Sequence, residues 1–233
     1  MRSARDDRKQ RRVRAMFRSR QETADEAIDA YDRDKHPAEF NRVLALSDGV
    51  FAIALTLLVL SLDVPPGLTS GELGSALQDQ APMLLAFAVS VGIIALFWFS
   101  HHELFSEVQR IDSPVMWLNF VYLSLVVLIP FVQQLQGTYP LEPIAYVLFA
   151  LVLAVLNLLD LVMHELVYRR KLLGRVWSDR RYRTEIARGF VLTGGFLLSV
   201  PLAFVLVNYT ILIWILLIPI DQFVKRRGMR QPV

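Results

Sequence analysis

The sequence contains no cysteine, which excludes disulfides, thiol catalysis and cysteine-based metal sites. Lysine and arginine are missing from two whole connections, 63–80 (DVPPGLTSGELGSALQDQ) and 133–143 (QQLQGTYPLEP), although the chain carries 25 of them. No long apolar run begins before residue 43, so no cleavable leader is expected and the first apolar run should itself anchor the chain. No period of about 20–50 residues recurs, and the tripeptide Ser-Asp-Gly occurs once. That argues against two homologous halves or an inverted repeat of the transporter kind.

What is present is apolar length. The chain is 54% hydrophobic, and several runs approach twenty residues with almost no charge, the pattern of membrane spans. The runs predict an all-α integral membrane protein with six transmembrane helices, near 43–62, 82–102, 114–135, 143–165, 188–207 and 209–224. The turn between the last two, around Asn208-Tyr209, has to be very tight, and one long kinked helix is the alternative there. The expected organisation is a charged tail over 1–41, a six-helix domain over 42–224 and a basic tail over 225–233.

The positive charges orient these spans. Twelve of the 25 precede residue 43, eight lie in 169–188, four in 225–230, and Arg110 is the remaining one. With six crossings all of them fall on one side, so both termini are expected to be cytoplasmic in a multi-pass plasma (inner) membrane protein. The Arg-rich start reads as a solvated tail that fixes topology, with an anchor on anionic lipid as the rival reading. Nucleic acid is not an expected partner, because no recognition fold accompanies the charge.

Polar residues interrupt the spans at matching depth. Arg42, Ser47 and Asp48 sit at the start of the first span, followed by Gly49, a small residue that lets another helix approach closely. His101 and His102 end the second span, Asn119 lies near the start of the third, Asp160 and His164 near the end of the fourth, and Arg188 opens the fifth. An ionised group inside a membrane costs roughly 2.5–3.5 kcal/mol even on mild scales. Partners at one depth remove much of that cost, so these residues predict an inner polar cluster tying helix ends together. Beyond it, Ile53, Leu57 and Leu60 share one stripe of the first span with Thr56 beside it. By itself that stripe reads as a lipid-facing or packed surface.

The stretch RVLALSDGVFAIALTLLVL resembles the Arg-x-x-x-Phe-Ser-Asp-Gly signature that opens the first helix of the lysosomal potassium-channel family, the transmembrane-protein-one-seven-five family. LFWFSHHELF and WLNFVYLSLVVLIPFVQQL resemble its second and third helices. Leu46 stands at the Phe position of the signature. The resemblance implies a six-helix subunit of a homotetramer whose first helix lines a central pore. It implies constriction rings at Ile53, Leu57 and Leu60 that act as a hydrophobic gate, and a polar ring at Thr56 that favours potassium. Arg42, Ser47, Asp48 and Gly49 would be structural, with His101 or His102, Asn119 and Asp160 around them. No carbonyl-filter sequence of the TVGYG kind is present, in keeping with such a pore. Asp63, Glu72 and Asp79, with no basic neighbour on their side, would draw cations to the mouth.

The reading is therefore a moderately potassium-selective cation channel in the lipid bilayer, not an enzyme, with no cofactor, metal or catalytic residue and with permeant potassium ions. The alternative is a secondary transporter of a cation or small solute. Adjacent histidines point about 100° apart on a helix and rarely share one metal. Because the chain lacks cysteine, single cysteines report topology cleanly. A thiol at Ser70 should label from outside the cell and one at Ser178 only from within; labelling of position 178 from outside would overturn the orientation.

Overall fold

The computed structural model describes residues 40–174 and 177–229. The expected Arg-rich tail over 1–39 and the last residues of the basic C-terminal tail lie outside the described residues. From Leu44 onward the chain forms one compact unit. Its helices are α1 (Phe40–Ser61), α2 (Ser70–Asp79), α3 (Ala81–Glu107), α4 (Ser113–Thr138), α5 (Pro143–Arg169), α6 (Asp179–Val205) and α7 (Thr210–Met229). The β-structure among the described residues is an isolated bridge, Val108 with Leu173. It clasps the α3–α4 and α5–α6 connections, with Gln109 N–H donating to Leu172 C=O at 2.9 Å and Gly174 N–H to Glu107 C=O at 2.8 Å.

Five helices, α1, α3, α4, α5 and α6, have the length and composition to cross a membrane. Most run beyond the apolar stretches that mark them in the sequence. The widest gap is at α6, which starts at Asp179 rather than near residue 188. Hydropathy marks only the apolar middle of a span, whereas helix propensity and caps carry the backbone on into charged turns. Asp112 caps α4 by accepting from Val115 N–H, and Ser178 caps α6 by accepting from Arg181 N–H. Prolines open α3, α4 and α5 in the first turn, where a missing N–H costs nothing.

Helix α2 falls inside a stretch read from sequence as a plain connection. Its signal is local: Thr69 and Glu72 form a capping box, with Thr69 N–H donating to Glu72 Oε2 at 2.8 Å and its hydroxyl at 2.6 Å. These two bonds hold the exposed Glu72 carboxyl below its usual pKa.

The α6–α7 connection is a hairpin and not a continuous kinked helix. A 3-10 turn over Val207–Tyr209 reverses the chain, and the register of α7 against α6 is antiparallel. Trp214 Nε1 donates to Ser199 Oγ at 3.2 Å, and farther along Arg188 grips Asp221. Gly195 allows this approach: a Cβ there would lie 2.4 Å from Leu217 Cδ2. Trp214, almost fully buried, also packs its ring 4.7 Å from that of Phe149 on α5. Only the first half of α7 is apolar, so it is not among the five helices that qualify as spans by length and composition.

Candidate functional site

The polar residues that interrupt the spans gather at the end of the unit where the lysines and arginines lie. They form two groups rather than one, on different faces of α3. Ser100 and His101 are successive residues, so their side chains diverge by about 100°.

On the first face, Asn119 of α4 joins α3 to α1. Its Nδ2 donates to Ser47 Oγ at 3.1 Å, and its Oδ1 pairs with His101 Nε2 at 2.8 Å. All three residues are fully buried. The His101 ring stacks on Phe105 with centroids 4.3 Å apart and lies 5.5 Å from Tyr122 and 5.7 Å from Phe51. Asp48, half-buried, accepts from Trp98 Nε1 at 2.8 Å. His102 is not in this chain of bonds; its ring stacks on Trp98 at 5.1 Å instead. Arg42 is exposed on α1.

On the second face, Asp160 of α5 accepts from Ser100 Oγ at 2.9 Å and lies 3.5 Å from His164 Nδ1. Beside it, Arg188 binds Asp221 in a fork through Nε at 2.8 Å and Nη2 at 2.9 Å, and reaches Glu185 at 2.5 Å. A bidentate pair of this kind is the geometry in which a buried ion pair is retained. With Asn157 these residues surround a cavity of ≈ 20 Å³, about the space of one water. Among the described residues no group of three or more His, Asp or Glu is arranged to hold a metal.

Sequence reasoning did not single out Trp98, Ser100, Glu185 or Asp221. Asp221 carried a signal, a lone acid directly after the apolar run ILLIPI. Trp98 and Ser100 carried none, because a tryptophan or serine within an apolar helix is ordinary. The same holds for Ser90 and Gln133, which are hydrogen-bonded to each other between α3 and α4.

The other face of α1 is bare. Phe51, Ala54 and Leu58 are buried to within 1%, and between them Ile53 is 58% exposed, Leu57 39% and Leu60 71%. Thr56 lies in the same stripe and donates its hydroxyl to Ile53 C=O at 2.8 Å. Gly49 is exposed too, and a Cβ there would meet nothing within 4 Å. The close approach expected at this glycine is therefore not made by another helix of the same chain. Only 22% of the apolar window of α1 is buried, against 50% for α5. At the far end of the unit Asp63, Glu72 and Asp79 are exposed.

The two ties to α1 are separable by mutation. Asn119→Ala removes the link between Ser47 and His101 and should lower stability by about 1–3 kcal/mol. Asp48→Ala and Trp98→Phe should show a coupling of about 1 kcal/mol in a double-mutant cycle of thermal unfolding in detergent. If Asp48→Ala unfolds like wild type while ion discrimination changes, Asp48 belongs to a pore and not to a tie.

Comparison with known proteins accords with this architecture. A family model described as "Endosomal/lysosomal potassium channel TMEM175" matches residues 42–130. A potassium channel of Streptomyces collinus is 43% identical over 101 residues, 43% of this chain and 49% of that one. A potassium channel of Chamaesiphon minutus is 34% identical over 151 residues, 64% of this chain and 74% of that one. The crystal structure of a lysosomal potassium-selective channel TMEM175 homolog from Chamaesiphon minutus superposes with a TM-score of 0.68 at 26% identity, covering 82% of this chain and 99% of the other. The chain thus spans about half the length of the first relative and three quarters of the second. With that coverage of a relative at this identity, and with the helical fold of a solved homolog over most of its length, the chain belongs to the TMEM175 family.

Proposed function

We propose that this chain is the subunit of a potassium-conducting channel, an ion channel rather than an enzyme, in which four copies set α1 around a central pore. The observation that carries the reading is the bare stripe of α1. Among the five candidate spans this helix is as apolar as any and the least covered by its own subunit. Its uncovered face runs in one line through Gly49, Ile53, Thr56, Leu57 and Leu60. Lipid alone does not ask for a glycine and a threonine in that line, whereas close packing about an axis does.

In this arrangement Ile53 makes the narrowest ring, and Leu57 and Leu60 continue it. Such a neck is too apolar to hold water when narrow and gates by dewetting. Potassium holds its hydration shell less tightly than sodium, so it is stripped for passage at lower cost. Thr56 commits its proton to its own helix, which leaves the oxygen lone pairs as substitute ligands for a cation. The selectivity expected is real but softer than that of a carbonyl filter. Ser47, Asp48, His101, Asn119 and Asp160 have no direct part in conduction; the first four hold the neck-forming helix to the rest of the subunit, and Asp160 ties α5 to α3. Asp63, Glu72 and Asp79 make the outer mouth attractive to cations.

Six crossings, with both termini cytoplasmic in the plasma membrane, complete the reading. The support for the sixth is the antiparallel register of α7, whose basic end returns to Glu103 of α3 through Lys225. Asp221 is the main charge it would carry inward, and Arg188 neutralises it. Six crossings then leave every lysine and arginine on one side.

Bi-ionic reversal potentials in planar bilayers test the pore assignment. Ile53→Asn should raise potassium current and relax discrimination against sodium by several-fold. Leu55→Asn, off the stripe, should leave the reversal potential within a few millivolts of wild type. The reverse pattern would place the pore on another face of α1.

A further inference from the structure

The inner ends of α6 and α7 form a groove that the channel reading does not use. Its walls are Arg180, Arg183, Thr184 and Ala187 on one side and Phe223 and Arg227 on the other, around an open volume of ≈ 700 Å³. We propose that this groove binds the headgroup and upper acyl chain of an anionic phospholipid such as phosphatidylglycerol.

Charge is the first argument. Apart from Arg226, which is exposed and outside the groove, the cations of these two helices divide sharply. Arg181, Arg188 and Lys225 each hold a carboxylate. Arg180, Arg183 and Arg227, the three in the groove, form no ion pair among the described residues. Arg180 donates to the carbonyl of Arg227 at 3.4 Å, and the Arg227 guanidinium lies 4.9 Å from the centroid of the Phe223 ring. These contacts hold two of the guanidinium groups at the groove without neutralising them. Asp179 is the one acid on the wall. Three guanidinium groups against one carboxylate fit a phosphodiester whose headgroup brings no positive charge of its own.

The surface leading away from the groove is the second argument. Along α6 the stripe of Arg180, Arg183 and Ala187 continues into Phe190 (67% exposed) and Val191. Along α7, Arg227 and Phe223 continue into Ile220 and Leu216, also exposed. Both stripes follow helical spacing. Both pass from guanidinium through aromatic to aliphatic surface, the order a phospholipid presents from phosphate to acyl chain. A soluble anion would have no use for the apolar half. The site depends on these helix ends lying at a bilayer edge and not on what passes through the pore.

The test is native mass spectrometry of the purified full chain after equilibration with phosphatidylglycerol or phosphatidylcholine, so that the readout is bound lipid and not current. Phosphatidylglycerol should remain bound at about one per subunit and phosphatidylcholine should not. The triple variant Arg180→Gln, Arg183→Gln, Arg227→Gln should lose the adduct by about tenfold or more. The matching triple replacement by Lys should keep most of it, which separates loss of charge from loss of fold. Phe223→Ala should weaken retention a few-fold with no change in charge. Arg110→Gln with Lys171→Gln, exposed cations at the same end but outside the groove, should behave as wild type. Equal loss in that control, unchanged retention in the triple Gln variant, or displacement of the lipid by millimolar inorganic phosphate would each overturn the assignment.

Discussion

The C-terminal part of α3 makes a polar contact with each of five other helices. Over ten residues it offers a different partner to each. Trp98 donates to Asp48 of α1, Ser100 to Asp160 of α5, and His101 pairs with Asn119 of α4. Glu103 meets Lys225 of α7, and Glu107 meets Arg181 of α6. In a bilayer the hydrophobic effect does not distinguish a neighbouring helix from a lipid tail, so apolar packing alone specifies register weakly. Hydrogen bonds at fixed depth supply what is missing. Breaking the buried one, His101 with Asn119, strands a polar group where no water can reach it.

That constraint explains the division of labour along α1. One side is tied down by Ser47 and Asp48 and then buried through Phe51, Ala54 and Leu58. The other side is left to something outside the subunit. Rigid attachment at one end and along one face suits the role proposed for α1, because a narrow neck tolerates little wandering. In the proposed channel the polar groups fix the position of the apolar stripe of α1.

Much of this was legible in the sequence, and the limits are physical. Apolar run length marked the five candidate spans and their order. Asp48 announced itself because a carboxylate so close to ALTLLVL needs a partner. Its partner did not, since Trp98 looks like any aromatic in an apolar helix. The depth of His101, Asn119 and Asp160 was readable from span boundaries, but their azimuth was not. The single expected cluster therefore separates into two faces of α3. The choice between His101 and His102 likewise turns on about 100° of rotation that no spacing rule settles. Helix α2 was missed because its evidence is a capping box in a polar stretch, not an apolar period. The α6–α7 hairpin was open in sequence because a three-residue 3-10 turn and a kink look alike there.

The central claim is that the uncovered stripe of α1 faces copies of itself across an axis. Disulfide trapping tests it directly, because the chain has no cysteine of its own and a disulfide forms only when Cα atoms come within about 7 Å. The account predicts that Ile53→Cys in membranes oxidises to covalently linked subunits, while Leu58→Cys, buried on the opposite side, stays monomeric under the same conditions. Linkage through position 58 with none through position 53 would contradict it.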